Sequence, residues 1–238
     1  MGVVDVSVGS AAWWKQRYAD RAGRRPRPGG LTMAAISAAA LEIADREGLE
    51  ALTMRRLAAV MGIRPTSLYR HVAGREELLV EVVDRVLGLV RLPDPELGWR
   101  SAIVLGAGEF RRVLLDHRSV VPLLTSSQLL GPHALRAREQ SLRLLTDAGW
   151  SSQSAVQVYL TVTHFVIGSA LLDTSKAART AASRTAMATL FSELSPAGHP
   201  MLRAHAALLG GHDSDAEFRF GLRCLLDGIV RTPGAPGG

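Results

Sequence analysis

The chain has 238 residues, of which 47% are hydrophobic and 21% charged, a balance typical of a globular protein with a sizeable core. No stretch approaches the roughly 18–20 uninterrupted apolar residues of a membrane span, and the N-terminus lacks the basic-then-apolar pattern of a secretory signal. We therefore expect a cytoplasmic protein without a membrane partner. The single cysteine, Cys224, excludes an intramolecular disulfide and a cysteine-rich metal site.

Positive charge is concentrated in one short segment. The formal charge is +6 and the sequence pI is about 10.4, which favours a polyanionic partner. Only Lys15 and Lys176 are lysines, so nearly all the basic residues are arginines. Between Ala51 and Arg75 there are five arginines and no acidic residue.

Residues 1–30 are predicted to form a basic, flexible N-terminal arm. They hold six basic residues against two acids, and residues 24–30 combine charge with proline and glycine. Such an arm either reaches an adjacent minor groove of DNA or stays a solvated tail, and both alternatives remain open. Trp13, Trp14 and Tyr18 interrupt the pattern and could form a short amphipathic helix.

Four helices are predicted next. Threonine or proline at the start of a segment and glycine at its end are typical of helix boundaries. Apolar residues recur within them at helical spacing. The predicted spans are Thr32–Gly48, Thr53–Gly62, Pro65–Gly74 and Arg75–Leu92.

Five or six further helices are predicted after the breaker Pro93-Asp94-Pro95. The predicted tail, residues 232–238, is rich in proline and glycine and is expected to be disordered. The further spans are Leu97–Asp116, Val120–Leu124, Pro132–Ala148, Ser151–Asp173, Arg179–Glu193 and Asp215–Arg231.

The segment Thr53–Val72 has the pattern of a helix-turn-helix. A tight turn at Gly62-Ile63 joins two short helices, and the small Ala58 lies four positions before the glycine, which permits close approach. The outward residues of the second helix are polar or cationic, as a helix entering a major groove requires. They are Arg64, Thr66, Ser67, Tyr69, Arg70 and His71.

The expected fold class is all-α. It comprises an N-terminal three-helix helix-turn-helix DNA-binding domain at residues 31–77 and a larger helical ligand-binding and dimerisation domain at residues 78–231.

Leu41–Leu89 resembles the DNA-binding domain of the tetracycline-repressor (TetR) family, in the stretches ADREGLEALTMRRLA and SLYRHVAGREELL. LLDHR at 114–118, THFVIG at 163–168 and FRFGLRCLLDGI at 218–229 resemble the C-terminal domain of tetracycline repressors. The likeness covers residues 31–231. It implies a homodimer whose two recognition helices enter successive major grooves of a palindromic operator, commonly as a repressor that a small-molecule effector releases.

The resemblance also implies which residues contact DNA. Thr53 and Arg75 start helices, where free N–H groups and the helix dipole favour phosphate. Arg64 is the best candidate for bidentate recognition of guanine. The full set is Thr53, Arg55, Arg64, Pro65, Thr66, Ser67, Tyr69, His71 and Arg75.

The C-terminal helices mix apolar faces with a few polar groups, as a small-molecule cavity would require. Where tetracycline repressors place a histidine and a glutamate that bind the drug-bound magnesium, this sequence has Leu124 and Leu172. The departure favours a largely apolar, metal-free ligand. The candidate ligand-binding residues are Phe110, His117, Gln128, Gln140, Tyr159, Thr163, His164 and Ile167, of which Phe110 and His164 align with pocket positions of the family.

Dimerisation is expected through the helices Ser151–Asp173 and Asp215–Arg231, by packing into an intersubunit four-helix bundle. The apolar positions predicted to face the partner are Val158, Val162, Val166, Ala170, Phe218, Leu222, Leu225 and Ile229.

Two other classes of protein compete with a ligand-responsive regulator. The pairs Asp116–His117 and His164–Asp173 come without a nucleophile, a metal-ligand set or a glycine-rich phosphate loop, so we expect no enzyme, no metal and no cofactor. A DNA-binding architectural factor, or one controlled by a protein partner, remains an alternative because a filled core would leave no cavity.

Overall fold

The computed structural model describes residues 7–22, 30–177, 181–211, 213–232 and 235. These residues form twelve α-helices and no strand, which confirms the all-α prediction. Three short 3-10 turns lie at Leu49–Ala51, Pro95–Leu97 and Val121–Thr125. The helices are α1 (Ala11–Ala22), α2 (Met33–Glu47), α3 (Met54–Val60), α4 (Pro65–Leu68), α5 (Arg75–Gly88), α6 (Trp99–Asp116), α7 (Pro132–Asp147), α8 (Ser152–Ala177), α9 (Ala181–Glu193), α10 (Pro200–Ala204), α11 (Ala206–Gly210) and α12 (Ser214–Val230).

The N-caps predicted at Thr32 for α2 and at Thr53 for α3 are confirmed. The Oγ1 atom of Thr32 accepts a hydrogen bond from the N–H of Ala35 at 3.1 Å, and Oγ1 of Thr53 accepts one from Arg56 at 3.1 Å. Each bond satisfies a backbone donor that the first turn of a helix leaves open. Gly48 ends α2 with φ +87°, a conformation that favours glycine.

Several predicted boundaries differ from the structure. The third predicted helix extends to Gly74, but α4 ends at Leu68 because His71 donates its N–H to the carbonyl of Leu68 at 2.8 Å, a tighter i→i+3 turn. The fourth was expected to reach Leu92, but α5 ends at Gly88. The five-residue helices α10 and α11 were missed because they are too short to show a periodic pattern. Arg179, and the tail 232–238 apart from Thr232 and Ala235, lie outside the described residues.

The prediction of a flexible arm is wrong for residues 7–22, where α1 confirms the short helix expected around Trp13, Trp14 and Tyr18. The indole of Trp14 is only 3% exposed and stacks on Tyr18 with ring centroids 5.6 Å apart. The Tyr18 hydroxyl donates to the carbonyl of Leu130 at 2.7 Å. Burial of these aromatic groups outweighs the charge and breakers that suggested a free arm. Residues 1–6 and 23–29 of the predicted arm lie outside the described residues.

Arg17 fixes α1 onto α5. Its guanidinium forms ion pairs with Glu77 and Glu81, two carboxylates that are almost fully buried on α5. It also donates to the carbonyl of His71 at 3.4 Å, next to the helix-turn-helix. Because Tyr18 of the same helix contacts Leu130, α1 connects the DNA-binding segment to the loop before α7.

The junction between α5 and α7 is closely packed around a buried carboxylate. Asp84 of α5 accepts hydrogen bonds from the backbone N–H groups of His133 and Ala134, at 3.0–3.2 Å, and so caps the first turn of α7. Gly131 and Gly88 permit this approach, since a Cβ atom would lie 2.2 Å from Cγ of Asp84 in the first case and 2.8 Å from the ring of His133 in the second.

Burial raises the pKa of Asp84 above its ordinary value, although the hydrogen bonds from Ala134 and His133 act in the opposite direction. The folded protein therefore holds this proton more tightly than the unfolded chain does. The contribution of Asp84 to the free energy of unfolding is complete below the unfolded pKa and is lost as the pH rises through the raised value.

The C-terminal helices bury one face and expose another. Most of the positions predicted to face a partner are instead core residues of the chain itself, namely Val158, Val166, Ala170, Phe218, Leu222 and Ile229. The prediction chose the wrong faces because apolar residues line both sides of these helices. Exposed apolar residues lie beside them: Val156 and Leu160 on α8, and Phe220 on α12, which is 63% exposed.

Helix α8 contains one long apolar stretch. By length and composition alone, Ser152–Thr174 could cross a membrane, and 22% of its most apolar part is buried inside the chain. A single helix of this kind is weak evidence for a membrane span, because core helices of soluble proteins have the same length and composition.

A buried arginine lies against the end of α8. The guanidinium of Arg111 on α6 donates to Asp173 at 2.7 Å and to Asp215 at 2.6 Å. This buried arginine therefore joins α6, α8 and the start of α12.

The Gly131–Asp84 contact generates a prediction for stability. Gly131→Ala places a methyl group inside the van der Waals radius of a hydrogen-bonded carboxylate, and we expect it to lower the free energy of unfolding by about 1–3 kcal/mol. Urea denaturation measures this change. The matched control is Gly108→Ala in α6, where a Cβ meets nothing within 4 Å and helix propensity predicts a gain of about 0.5–1 kcal/mol. Equal effects of the two substitutions would contradict the packing assigned to the junction.

Candidate DNA interface and ligand cavity

The turn between α3 and α4 has the geometry of a helix-turn-helix. Gly62 has φ +65°, in the left-handed region, and Ile63 donates its N–H to the carbonyl of Ala58 at 3.0 Å. Pro65 occupies the first turn of α4, where its missing N–H costs nothing. Leu57 of α3 and Leu68 of α4 are fully buried, so the two helices share one small core and keep their remaining faces outward.

The predicted DNA contacts differ in exposure. Ser67, His71 and Arg75 are half-buried, and Tyr69, at 55% exposed, is a large apolar ring held out into solvent. The structure exposes the others, which are Thr53, Arg55, Arg64, Pro65 and Thr66.

The arginines of this region differ in whether another side chain already pairs with their charge. Arg56 forms a bidentate ion pair with Glu47, with distances of 3.1 and 2.7 Å, and its hydrogen bond lowers the pKa of the Glu47 carboxyl. Neither Arg55 nor Arg64 makes a side-chain hydrogen bond or ion pair to any residue that the structure describes. The charges of Arg55 and Arg64 are therefore available to a polyanion.

Arg75 also has a structural role, which the sequence did not reveal. Its Nε donates to the carbonyl of Leu52 at 3.0 Å and its Nη2 to that of Leu49 at 2.8 Å, which ties the start of α5 to the segment before α3. Glu77 in the first turn of α5 accepts the N–H of Ala73 at 2.6 Å. A phosphate at this helix start would meet a local carboxylate, so Thr53 is the better of the two predicted phosphate sites.

A cavity of about 940 Å³ lies between α6, α7 and α8. Two helix faces contribute lining residues at the same spacing: Ala102, Gly106 and Phe110 on α6, and Val158, Val162 and Val166 on α8. The volume suits a small organic molecule. Phe110, Gln140, Tyr159 and Thr163 line it, out of the eight residues proposed from the sequence.

The other four proposed residues lie elsewhere. Nδ1 of His117 is 2.7 Å from the carboxylate of Asp45 on α2, so this side chain joins the two domains. His164 is exposed, because the helix turns it away from its neighbour Thr163. Ile167 lies one turn after Thr163 on the same face of α8, but it packs against the core and does not line the cavity. Gln128 lines a separate small pocket beside Trp14. Those four positions are wrong as cavity residues.

The third wall of the cavity is formed by α7, where Gln140 was proposed from the sequence but most of the polar lining was not. The polar or charged side chains that were not proposed include Arg136, Arg138, Glu139, Ser141 and Arg143. The sequence favoured a largely apolar ligand, whereas this wall carries several charged groups. The periodicity of α7 gave a signal, because Arg138 falls on the same stripe as the buried Ala134 and Leu145.

Leu124 and Leu172, where tetracycline repressors have magnesium ligands, do not line the cavity. Leu124 is buried and Leu172 is 59% exposed. Across the described part of the chain, no group of three or more histidine, cysteine, aspartate or glutamate residues is placed to hold a metal ion.

An exposed helix-turn-helix above a helical domain with a cavity defines a class of DNA-binding regulators. A model of "Bacterial regulatory proteins, tetR family" matches residues 36–82, and one of the "Tetracyclin repressor-like, C-terminal domain" matches residues 92–232. The chain belongs to the TetR family of transcriptional regulators.

Similar proteins extend over most of the chain. An HTH-type transcriptional regulator of Saccharopolyspora erythraea is 34% identical over 206 residues, covering 86% of each chain. The HTH-type transcriptional repressor DrrR1 of Streptomyces coeruleorubidus is 33% identical, covering 87% of this chain and 81% of its own. The TetR-family protein ActR of Streptomyces coelicolor, in complex with actinorhodin, superposes with a TM-score of 0.77 at 32% identity, over 85% of this chain and 98% of its own.

The contrast between Arg55 and Arg56 generates a prediction for DNA binding. Arg55→Ala removes a free, exposed charge, and we expect weaker binding to any duplex and a salt slope reduced by about one. Arg56→Ala removes a charge already neutralised by Glu47, so it is the matched control and should change the slope much less. Fluorescence anisotropy over a salt series measures both. A larger effect of Arg56→Ala would place the DNA on the other side of α3.

Proposed function

We propose that this TetR-family protein is a ligand-responsive transcriptional repressor that binds a palindromic operator as a homodimer. A small molecule in the cavity between α6, α7 and α8 releases it from DNA. The observation that carries the proposal is the pairing of a free, cationic helix-turn-helix with a cavity whose α7 wall is capped by Asp84 of α5. Because the operator lies on the chromosome, the proposed location of the protein is the cytoplasm.

The DNA-binding residues divide by role. Arg64 precedes α4 with an unoccupied guanidinium and is proposed to read guanine, while Tyr69 lies at the other end of the helix. Arg55 and the start of α3 at Thr53 are proposed to contact phosphates. Pro65, Thr66, Ser67 and His71 complete the proposed interface.

Two sets of hydrogen bonds connect the cavity domain to the DNA-binding helices. Asp84 of α5 caps α7, and Asp45 of α2 contacts His117 at 2.7 Å and Ser119 at 3.4 Å. A shift of α6 or α7 around a ligand therefore reaches α5 and α2 through hydrogen bonds. Ligand binding is coupled to operator binding because the ligand has a different affinity for each of the two arrangements of these helices.

The similar proteins support a sensor role. ActR has been crystallised with actinorhodin and with (S)-DNPA, and DrrR1 is a transcriptional repressor. The architectural factor without a ligand has no comparable support, because the core leaves a cavity of about 940 Å³.

Selection of random duplex DNA by the purified protein, with a salt titration on the winning sequence, tests the proposal. We expect a palindromic winner with half-sites in successive major grooves, bound much more tightly than random DNA. Arg64→Ala should cost about 1–3 kcal/mol on the winner and little on random duplex. An equal loss on both would make Arg64 a phosphate contact. Uniform, steeply salt-dependent binding with no winner would support the architectural factor instead.

The dimer is proposed to form through the exposed apolar face of α8 and α12. Phe220→Arg introduces a charge at the centre of this face, and we expect a monomer in sedimentation at micromolar concentration. Leu105→Arg on α6, at a comparably exposed leucine outside that face, is the control and should remain dimeric. A dimeric Phe220→Arg protein would move the interface to another surface.

A further inference from the structure

Arg138 occupies a position in α7 where the helix pattern calls for an apolar residue. Ala134, Arg138, Ser141 and Leu145 follow one another at spacings of four, three and four residues, and Ala134 and Leu145 are buried. The side chain of Arg138 therefore lies on the inner stripe of the helix, half-buried in the cavity wall.

The guanidinium of Arg138 has no acidic partner among the described residues. Its recorded contacts are both to Tyr159 of α8: Nε donates to the hydroxyl at a long 3.4 Å, and the cation lies 5.9 Å from the ring centroid. Neither contact neutralises the charge, and an arginine withdrawn from water is usually paired. The cavity side of this group is open to an anion.

The neighbouring charges do not satisfy Arg138 either. Arg143 and Glu139, which also line the cavity, pair with each other at 3.0 Å across one turn of α7. The other charged residues of the lining are the cations Arg91 and Arg136 and the anions Asp94 and Asp147. Arg138 therefore leaves the lining with an excess of positive charge.

The cavity also has an apolar lining on α6 and α8. Ala102 and Gly106 of α6 have little or no side chain, Phe110 follows one turn later, and Val158 and Val162 of α8 line the cavity as well. Together with the rings of Phe110 and Tyr159, this lining favours an aromatic ligand.

We infer that the effector is an anionic aromatic molecule, whose acidic group is bound by Arg138 and whose rings lie against the apolar side chains that line the cavity. The inference rests on the proposed ligand-responsive function and deepens it. Arg138 is the specificity-determining residue, because a planar guanidinium binds a carboxylate or sulfonate in a bidentate, charge-assisted manner.

Two dyes with the same rings test this class of ligand on the full-length protein. N-phenyl-1-naphthylamine is neutral, and 8-anilinonaphthalene-1-sulfonate adds one sulfonate to that skeleton. Fluorescence titration gives each affinity, and displacement of one dye by the other shows that they share a site. The variants are Arg138→Gln, Arg138→Lys and the control Arg112→Gln, whose arginine is paired with Glu109 on α6 and does not line the cavity.

We expect wild-type protein to bind the sulfonate dye at least ten-fold more tightly than the neutral dye. Arg138→Gln should weaken the sulfonate dye by about ten- to hundred-fold and leave the neutral dye within two-fold. Arg138→Lys should retain part of the preference, and Arg112→Gln all of it.

Other outcomes overturn the inference in distinguishable ways. If Arg138→Gln weakens both dyes equally, or neither, the cavity binds ligands but Arg138 does not select anions. If neither dye enters a shared site in wild-type protein, the cavity is not a ligand site, and the sensor part of the proposed function fails too. Selection of an operator remains an independent test of the DNA-binding part.

Discussion

The carboxylate of Asp84 holds the two halves of this protein in register. It is buried on α5, the helix that leaves the DNA-binding domain, and it caps α7, the helix that walls the cavity. A cap of this kind is directional, because the N–H groups of His133 and Ala134 point along the axis of α7 at one carboxylate. The position of α7 therefore fixes that of α5, and the close approach requires glycine at position 131.

The proposed response to a ligand distant from DNA depends on this constraint. In that proposal, a molecule that enters the cavity displaces α7 relative to α6 and α8, and the cap transmits the displacement to α5. The contact between Asp45 and His117 carries a second connection from the end of α6 to α2. Helix α1 lies over the same junction, since Arg17 binds carboxylates of α5 while Tyr18 binds the loop before α7. Packed elements with few alternative arrangements are suited to switching between two states.

Local patterns in the sequence were sufficient to predict the helix-turn-helix, because threonine caps, Gly62 and Pro65 determine the backbone over only a few residues. Long-range contacts could not be predicted in this way. The docking of α1 depends on the partners of Trp14 and Tyr18 more than 60 residues away, and that of Arg75 on carbonyl groups of another segment. For the cavity, the helices were right but the rotation of α8 was not, so Thr163 lines it and His164 does not. The charged α7 wall was missed although Arg138 broke an apolar stripe.

Filling the cavity in the absence of any ligand tests the central claim most directly. Ala137→Trp places an indole into the space beside α7, whereas Leu135→Trp adds the same group to the outer face of that helix. The account predicts that Ala137→Trp weakens binding to the selected operator at least ten-fold, within the usual range of allosteric coupling, while the dimer mass and thermal unfolding are retained. Leu135→Trp should bind as the wild type does. An Ala137→Trp dimer that binds the operator with unchanged affinity would contradict the coupling of cavity to DNA.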